Sequence, residues 1–259
     1  MRIVVLVKPV PDPAATALRM TDTLRLDRSG PAVVNGNDEY ALEAALKLVE
    51  AHGGEVTLLS MAPPTAPDTM RKALAMGAQR GVLLTDSALE GSDAVSTARV
   101  LASALKTLEY DLVLAGVDTS DSSLGVVAAA VATLVGLPYL SYAAKIEPTD
   151  SGVRVHRIST TGYDVLEAPL PALIACTQAL GEPRYPSLKG IMAARSKEIV
   201  TRALADAELS PDQVGGGVAT VTVENWSEVA TERARRVIRE PAPEAASEVV
   251  GFLAERRLI

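Results

Sequence analysis

Residues 110–138 read YDLVLAGVDTSDSSLGVVAAAVATLVGLP. A short apolar run at 111–115 breaks at Gly116 into a polar loop, DTSDSS at 118–123, and resumes as a small-residue run of helical character from Leu124 to Val135. Strand, polar loop and helix, in that order, are how an open parallel sheet makes a ligand site. The loop leaves the carboxyl end of a strand, and the helix start offers free N–H groups to an anion. Ser122, Ser123 and Gly125 stand where such N–H groups and hydroxyls would meet a phosphate. Asp and Ser are also preferred helix N-caps, so the stretch taken alone reads first as a plain cap.

The same unit recurs upstream. RIVVLV at 2–7 is short, continuous and β-branched, as expected of a buried parallel strand. It runs into KPVPDP at 8–13, where three prolines argue against both ladder and helix. Residues 24–34 read as a small hairpin around DRSG at 27–30. Asn35, Gly36 and Asn37 then cap a helix with Leu42, Ala45, Leu46 and Val49 inward and Glu43 and Lys47 paired outside. Strands are expected at 55–60 and 82–84 and a helix at about 67–76. Ser92 caps a further helix running to about 108, with Val95, Ala98, Ala102 and Leu105 inward. Strand alternating with helix four times predicts an α/β fold with a mostly parallel, Rossmann-like sheet flanked by helices.

Downstream of Pro138 the texture changes. Segments 140–146, 153–159 and 163–167 read as consecutive strands, an antiparallel addition, and 172–176 as another buried strand. No clean period appears over 181–199. Residues 211–217 break the chain, 219–224 read as a short strand, and 244–256 as an amphipathic helix with Val249, Phe252 and Leu253 on one face. This divides the chain into an α/β domain over 1–199 and an extended C-terminal arm over 200–259.

Bulk properties exclude several functions. Of 259 residues, 48% are hydrophobic and 22% charged, a globular balance. A net charge of −7 gives no general attraction to nucleic acid or anionic membrane, and 3% aromatic residues are too few for base-stacking platforms. The single cysteine, Cys176, falls inside an apolar run and reads as a packed thiol. His52 and His156 lie far apart, without metal-ligand spacing. Apolar runs stay short of the ~20 residues that cross a bilayer, and no signal peptide precedes the first strand, so a cytoplasmic protein is expected. There is no Walker P-loop, no G-x-G-x-x-G after the first strand and no G-x-S-x-G elbow. The paired carboxylates Asp38 and Glu39 open a helix, where the dipole accounts for them. The pattern points to binding or carrying, not turnover.

Three motifs carry a resemblance: IVVLVKPVPD at 3–12; NGNDE at 35–39 with ALEAAL at 41–46 and RKALAMGA at 71–78; and GEPRYPSLKGIMAA at 181–194. In this order and at this length the sequence resembles the β subunit of electron transfer flavoprotein, its actinobacterial-type members most closely. The resemblance implies an adenine nucleotide α-hydrolase-like α/β domain that holds AMP, and a heterodimer with an α subunit on which the C-terminal arm packs. FAD would sit mainly in the α subunit. Electrons would come from acyl-CoA and related dehydrogenases, as in fatty acid β-oxidation, and leave to a membrane quinone oxidoreductase. The chain would be an electron carrier, not a catalyst.

Carried over by position, the family's adenylate pocket falls on Leu6, Val7, Asn35 and Met61, and its phosphate end on Asp121, Ser122, Ser123, Leu124 and Gly125. Many members carry Asn-Gln-Thr-Gly-Gln at this loop, whereas this chain has SSLGV at 122–126. Backbone N–H groups and the two serines could still cradle a phosphate. Residues 182–197 match the loop that anchors the partner dehydrogenase, through Glu182, Arg184, Tyr185, Leu188, Lys189, Ile191 and Met192. Leu188 would be the apolar anchor, and Arg184, Lys189, Arg195 and Lys197 its basic rim. Read without the resemblance, that leucine would fold back on the core. Two other readings stay open. Some members place a second FAD in the AMP site and bifurcate electrons, with an extended acidic and Val-Gly-Pro loop pattern that this chain lacks. A stand-alone adenine-nucleotide-binding protein of the universal-stress type would need no docking loop.

Overall fold

The computed structural model describes residues 1–15, 18–227 and 237–259. In chain order the elements are β1 (Arg2–Leu6), β2 (Pro9–Pro11), β3 (Ala32–Val34), α1 (Gly36–His52), β4 (Glu55–Met61), α2 (Pro67–Met76), β5 (Arg80–Leu84), α3 (Ala94–Lys106), β6 (Leu112–Gly116), α4 (Val127–Val135), β7 (Tyr139–Thr149), β8 (Gly152–Ser159), β9 (Gly162–Ala168), β10 (Ala172–Cys176), α5 (Leu188–Ala194), β11 (Ile199–Arg202) and α6 (Ala242–Glu255).

Nine strands form one sheet in the order β11-β5-β4-β1-β6-β10-β7-β8-β9. Pairing is parallel from β11 to β7 and antiparallel from β7 to β9. The α/β class and the antiparallel addition thus stand as the sequence predicts. The parallel centre is apolar on both faces because helices cover both. Ile3, Val5, Leu58 and Leu114 pack with α1 and α2 on one side. Val4, Leu59, Val113 and Leu173 pack with α3 and α4 on the other. The chain leaves β1 for β4 on one flank and later returns to β6 on the opposite flank. That reversal opens a crevice at the carboxyl ends of β1 and β6, the position at which open α/β sheets bind ligands.

Several local expectations are corrected. Proline does not exclude a ladder here: β2 carries Pro9 and Pro11 and pairs antiparallel with β3. Asn35 N–H donates to Lys8 C=O and Asp12 N–H to Pro31 C=O, each at 2.9 Å, so pairing uses alternate residues and the ring nitrogens face away. With β3 taken by β2, residues 24–34 form no hairpin; Met20 and Leu26 make an isolated bridge instead. The cap of α3 is Asp93, which accepts from Ser96 N–H at 2.8 Å, while the Ser92 hydroxyl turns back to Leu89 C=O. Val95 is exposed, not inward. Residues 219–224 form no strand; Thr220 is fastened to Asp93 by N–H and hydroxyl bonds.

Residues Met1–Glu224 form one compact unit. Leu204, Ala207 and Val214 are buried against the α3 side of the sheet, so this unit continues beyond residue 199. Asn225–Ile259 form a second unit. Within it α6 has no buried residue, and Arg256 lies 4.6 Å over the Phe252 ring. Residues 228–236 of the expected arm lie outside the described residues.

Candidate functional site

The crevice is closed at its base by a buried carboxylate. Asp38, in the first turn of α1, accepts from Lys8 N–H at 2.8 Å and from Gly116 N–H at 3.2 Å, joining the ends of β1 and β6. Asn35 adds a third donor at 3.0 Å. Burial pushes the Asp38 carboxyl up to about 7, against the pull of these three donors and the Lys8 charge. Gly116 is required by this closeness: a Cβ there would stand 2.5 Å from Asp38 Oδ1 and 2.7 Å from Asn37. A helix-dipole account of Asp38 therefore misses its main work, which is to fix the crevice floor.

Asn35 occupies the N-cap position of α1 but makes no side-chain cap. Its amide reaches across instead, donating to Asp118 C=O at 2.8 Å and accepting from Ser120 N–H at 3.1 Å. Asn37 donates to the Asp118 carboxylate. Both amide N–H groups and the oxygen of Asn35 thus have partners within the chain, and the residue shapes the pocket wall by holding the 118–120 turn.

Asp121 is the second anchor. Its side chain is almost fully buried between Lys8, at 2.9 Å, and Arg28. Burial works to raise its pKa, but the Lys8 charge and hydrogen bonds from Lys8, Arg28 and Thr119 prevail and hold it at about 2. A fixed anion does not contact a phosphate; Asp121 clamps the loop and gathers two cations at its mouth. The next residues are open. Ser122, Ser123, Leu124 and Gly125 are exposed, and Ser123 and Gly125 take left-handed backbone at φ 49° and 67°. These turns delay α4 to Val127, three residues beyond the expected start. Ser122 and Ser123 are tied back to Thr119, their N–H groups donating to its C=O at 3.2 and 2.7 Å and their hydroxyls bonded to its side chain and C=O, so among the described residues the N–H groups left without a partner at this helix start include those of Leu124 and Gly125, which fit an anion.

The structure brings the expected pocket residues to one edge. Leu6 ends β1 and Val7 follows it, Met61 ends β4, Asn35 opens α1 and residues 121–125 follow β6. Leu6 and Val7 are buried, so they can address a ligand only through backbone; Met61 is half-buried. Lys8, Arg28, Asp38 and Gly116 were not singled out from sequence as pocket residues. Their signals are long-range, and only Gly116 at a strand end offered a local one.

The stretch expected to dock a partner is a short helix, missed as period because it spans only seven residues. Ser187 caps α5 by accepting from Gly190 N–H at 3.0 Å. Leu188 is 77% exposed and does not fold back on the core; Glu182, Tyr185, Lys189, Ile191 and Met192 are exposed beside it. Arg184 and Lys197 face inward rather than forming a rim. Arg184 Nε donates to Glu43 at 2.7 Å and Nη2 to Glu50 at 3.0 Å. Glu43 is therefore buried against Arg184 and not, as its helical spacing suggests, on the outer face, although its 3.6 Å pairing with Lys47 is present. Among the described residues Lys189 and Arg195 have no ion-pair partner.

Cys176 is fully buried in β10, and burial pushes its thiol well above the usual range, as befits a packed residue. Among the described residues no cluster of His, Cys, Asp and Glu could hold a metal, and no helix is long and apolar enough to cross a membrane.

A family model described as the electron transfer flavoprotein domain matches residues 23–207. The electron transfer flavoprotein subunit beta of Clostridium acetobutylicum is 34% identical over 259 residues, with 100% of both chains covered. That of Mycobacterium bovis is 36% identical over 264 residues, with 99% of each covered. CarD, a subunit of the caffeyl-CoA reductase-Etf complex of Acetobacterium woodii, is 34% identical over 262 residues and 100% of each chain. The matches run the length of the chain and take in both the crevice and α5. The chain belongs to the electron transfer flavoprotein family, as a β subunit.

Proposed function

We propose that this chain is the non-catalytic half of a cytoplasmic electron carrier, paired with an α subunit, that serves acyl-CoA-type dehydrogenases and delivers to a quinone oxidoreductase. FAD, held mainly by the α subunit, supplies the redox chemistry. This chain's own residues do two things. The crevice between β1 and β6 holds AMP as a structural ligand, with Asn35, Asp38 and Gly116 fixing its walls and the N–H groups of Leu124 and Gly125, on a turn held by Ser122 and Ser123, meeting the phosphate. The α5 surface, led by Leu188, docks the dehydrogenase. The C-terminal arm packs on the α subunit.

The observation that carries this reading is the full-length similarity to chains named as β subunits. The unpartnered N–H groups of Leu124 and Gly125 and the exposed apolar side chains of α5 support its two parts. The departure of SSLGV from the common loop pattern favours keeping one second reading, in which FAD replaces AMP in this chain and the pair bifurcates electrons. The test is anaerobic. The chain is produced with its α subunit and mixed with an acyl-CoA dehydrogenase and its substrate. Bleaching of the carrier's flavin absorbance is expected; no bleaching with any acyl-CoA dehydrogenase would remove the proposed role.

A further inference from the structure

We propose that Arg184 is a positioning residue that presets the docking helix, and is not itself a contact for the partner. The inference rests on the reading that residues 182–197 dock a dehydrogenase, and it concerns how that surface is held.

The segment is tied at three points. At its entry, Arg184 spans two carboxylates about two turns apart on one face of α1: Nε and Nη2 reach Glu43 at 2.7 and 3.2 Å, and Nη1 and Nη2 reach Glu50 at 2.5 and 3.0 Å. The Arg184 backbone N–H also donates to Glu43 at 3.1 Å. Paired bidentate bonds of this kind fix direction as well as distance. In the middle, α5 lies directly on α2: a Cβ on Gly190 would come 2.4 Å from Ala75 C=O. At the exit, Lys197 Nζ donates to Leu74 and Ala78 carbonyls at 2.9 and 2.6 Å, capping α2, and Arg71 Nη1 donates to Ala194 and Lys197 carbonyls at 2.8 and 3.2 Å. Between the ties, Tyr185, Leu188, Ile191 and Met192 project into solvent. The cations split by duty: Arg184 and Lys197 are spent on the chain, while Lys189 and Arg195 remain for a partner's acidic rim. A segment ordered before encounter avoids the ordering cost at binding, so the clamp supports affinity without touching the partner.

The experiment uses the heterodimer with its α subunit and the variants Arg184→Met, Arg184→Lys and Lys189→Met. Two readouts are taken: tryptic cleavage after Lys189 and Arg195 in the absence of dehydrogenase, and the KM of an acyl-CoA dehydrogenase for the carrier across ionic strength. Arg184→Met is expected to speed cleavage by ~10-fold or more, as loss of local stability requires. It raises KM several-fold with kcat, flavin content and the salt slope of KM unchanged. Arg184→Lys restores part of the protection. Lys189→Met leaves cleavage after Arg195 unchanged and flattens the salt slope. Should Arg184→Met not fold, Glu50→Gln loosens the same clamp and gives the same readouts. Unchanged cleavage in Arg184→Met, or a flattened salt slope like that of Lys189→Met, overturns the proposal. Faster cleavage with an unchanged KM upholds the clamp and refutes the docking reading instead.

Discussion

Leu188→Ala isolates the proposed docking surface from everything that holds the chain together. Leu188 is 77% exposed, so its truncation takes almost nothing from the core. Three carbon groups are lost, each worth ~0.8 kcal/mol if a partner buries it, and discounting the quarter already covered leaves ~1.5–2 kcal/mol. That corresponds to roughly 10–30-fold in affinity. The assay is steady-state reduction of the heterodimer by an acyl-CoA dehydrogenase, with carrier concentration varied. KM rises by that factor, kcat holds, and the thermal midpoint and flavin content match the wild type. Because the side chain is apolar, the effect persists at high ionic strength, unlike the loss of Lys189. An unchanged KM would refute the anchor role, and a fall in the thermal midpoint would show that the leucine packs on its own chain.

Two further predictions concern the crevice. Asp38 is protonated more readily in the folded chain than in the unfolded one, so its contribution to stability is full below about pH 4 and is lost as pH rises through about 7. Between about pH 5 and about pH 8, urea unfolding is expected to show wild type losing more stability than Asp38→Asn, by on the order of 2–4 kcal/mol; parallel profiles would refute this. Gly116→Ala places a methyl 2.5 Å from Asp38 Oδ1, so the thermal midpoint falls with a cost of ~1–3 kcal/mol and nucleotide content drops with it; an unchanged midpoint would mean that the β6 end is free to shift.

What could be read in advance follows from which forces are local. The strand-loop-helix reading of 110–138 held because burial on two faces writes itself into consecutive residues, Leu112 to Ala115, and a polar break must follow. The inward positions Leu42, Ala45, Leu46 and Val49 held for the same reason. The misses are pairings across long sequence distance. Pro9 and Pro11 form a ladder because β3, some 20 residues on, supplies the partner groups. Glu43 looks like a surface carboxylate until Arg184, 141 residues away, covers it. Asp38 looks like a helix-start acid until β1 and β6 converge on it. The left-handed turns at Ser123 and Gly125, which set the loop's opening, are signalled in the sequence only by the glycine. The place of the strand-loop-helix unit was therefore legible, and the ion pairs and hydrogen bonds that frame it were not.

The most direct test of the central claim is a count of nucleotides. The chain is co-expressed with its α subunit, purified and denatured, and the released nucleotides are identified by mass and quantified by chromatography. FAD and AMP are expected in equal amounts, with AMP falling in Gly116→Ala while FAD stays. Two FAD and no AMP would contradict the reading of the 122–126 loop. No flavin, with an adenine nucleotide alone and no stable α-subunit complex, would contradict the carrier role itself.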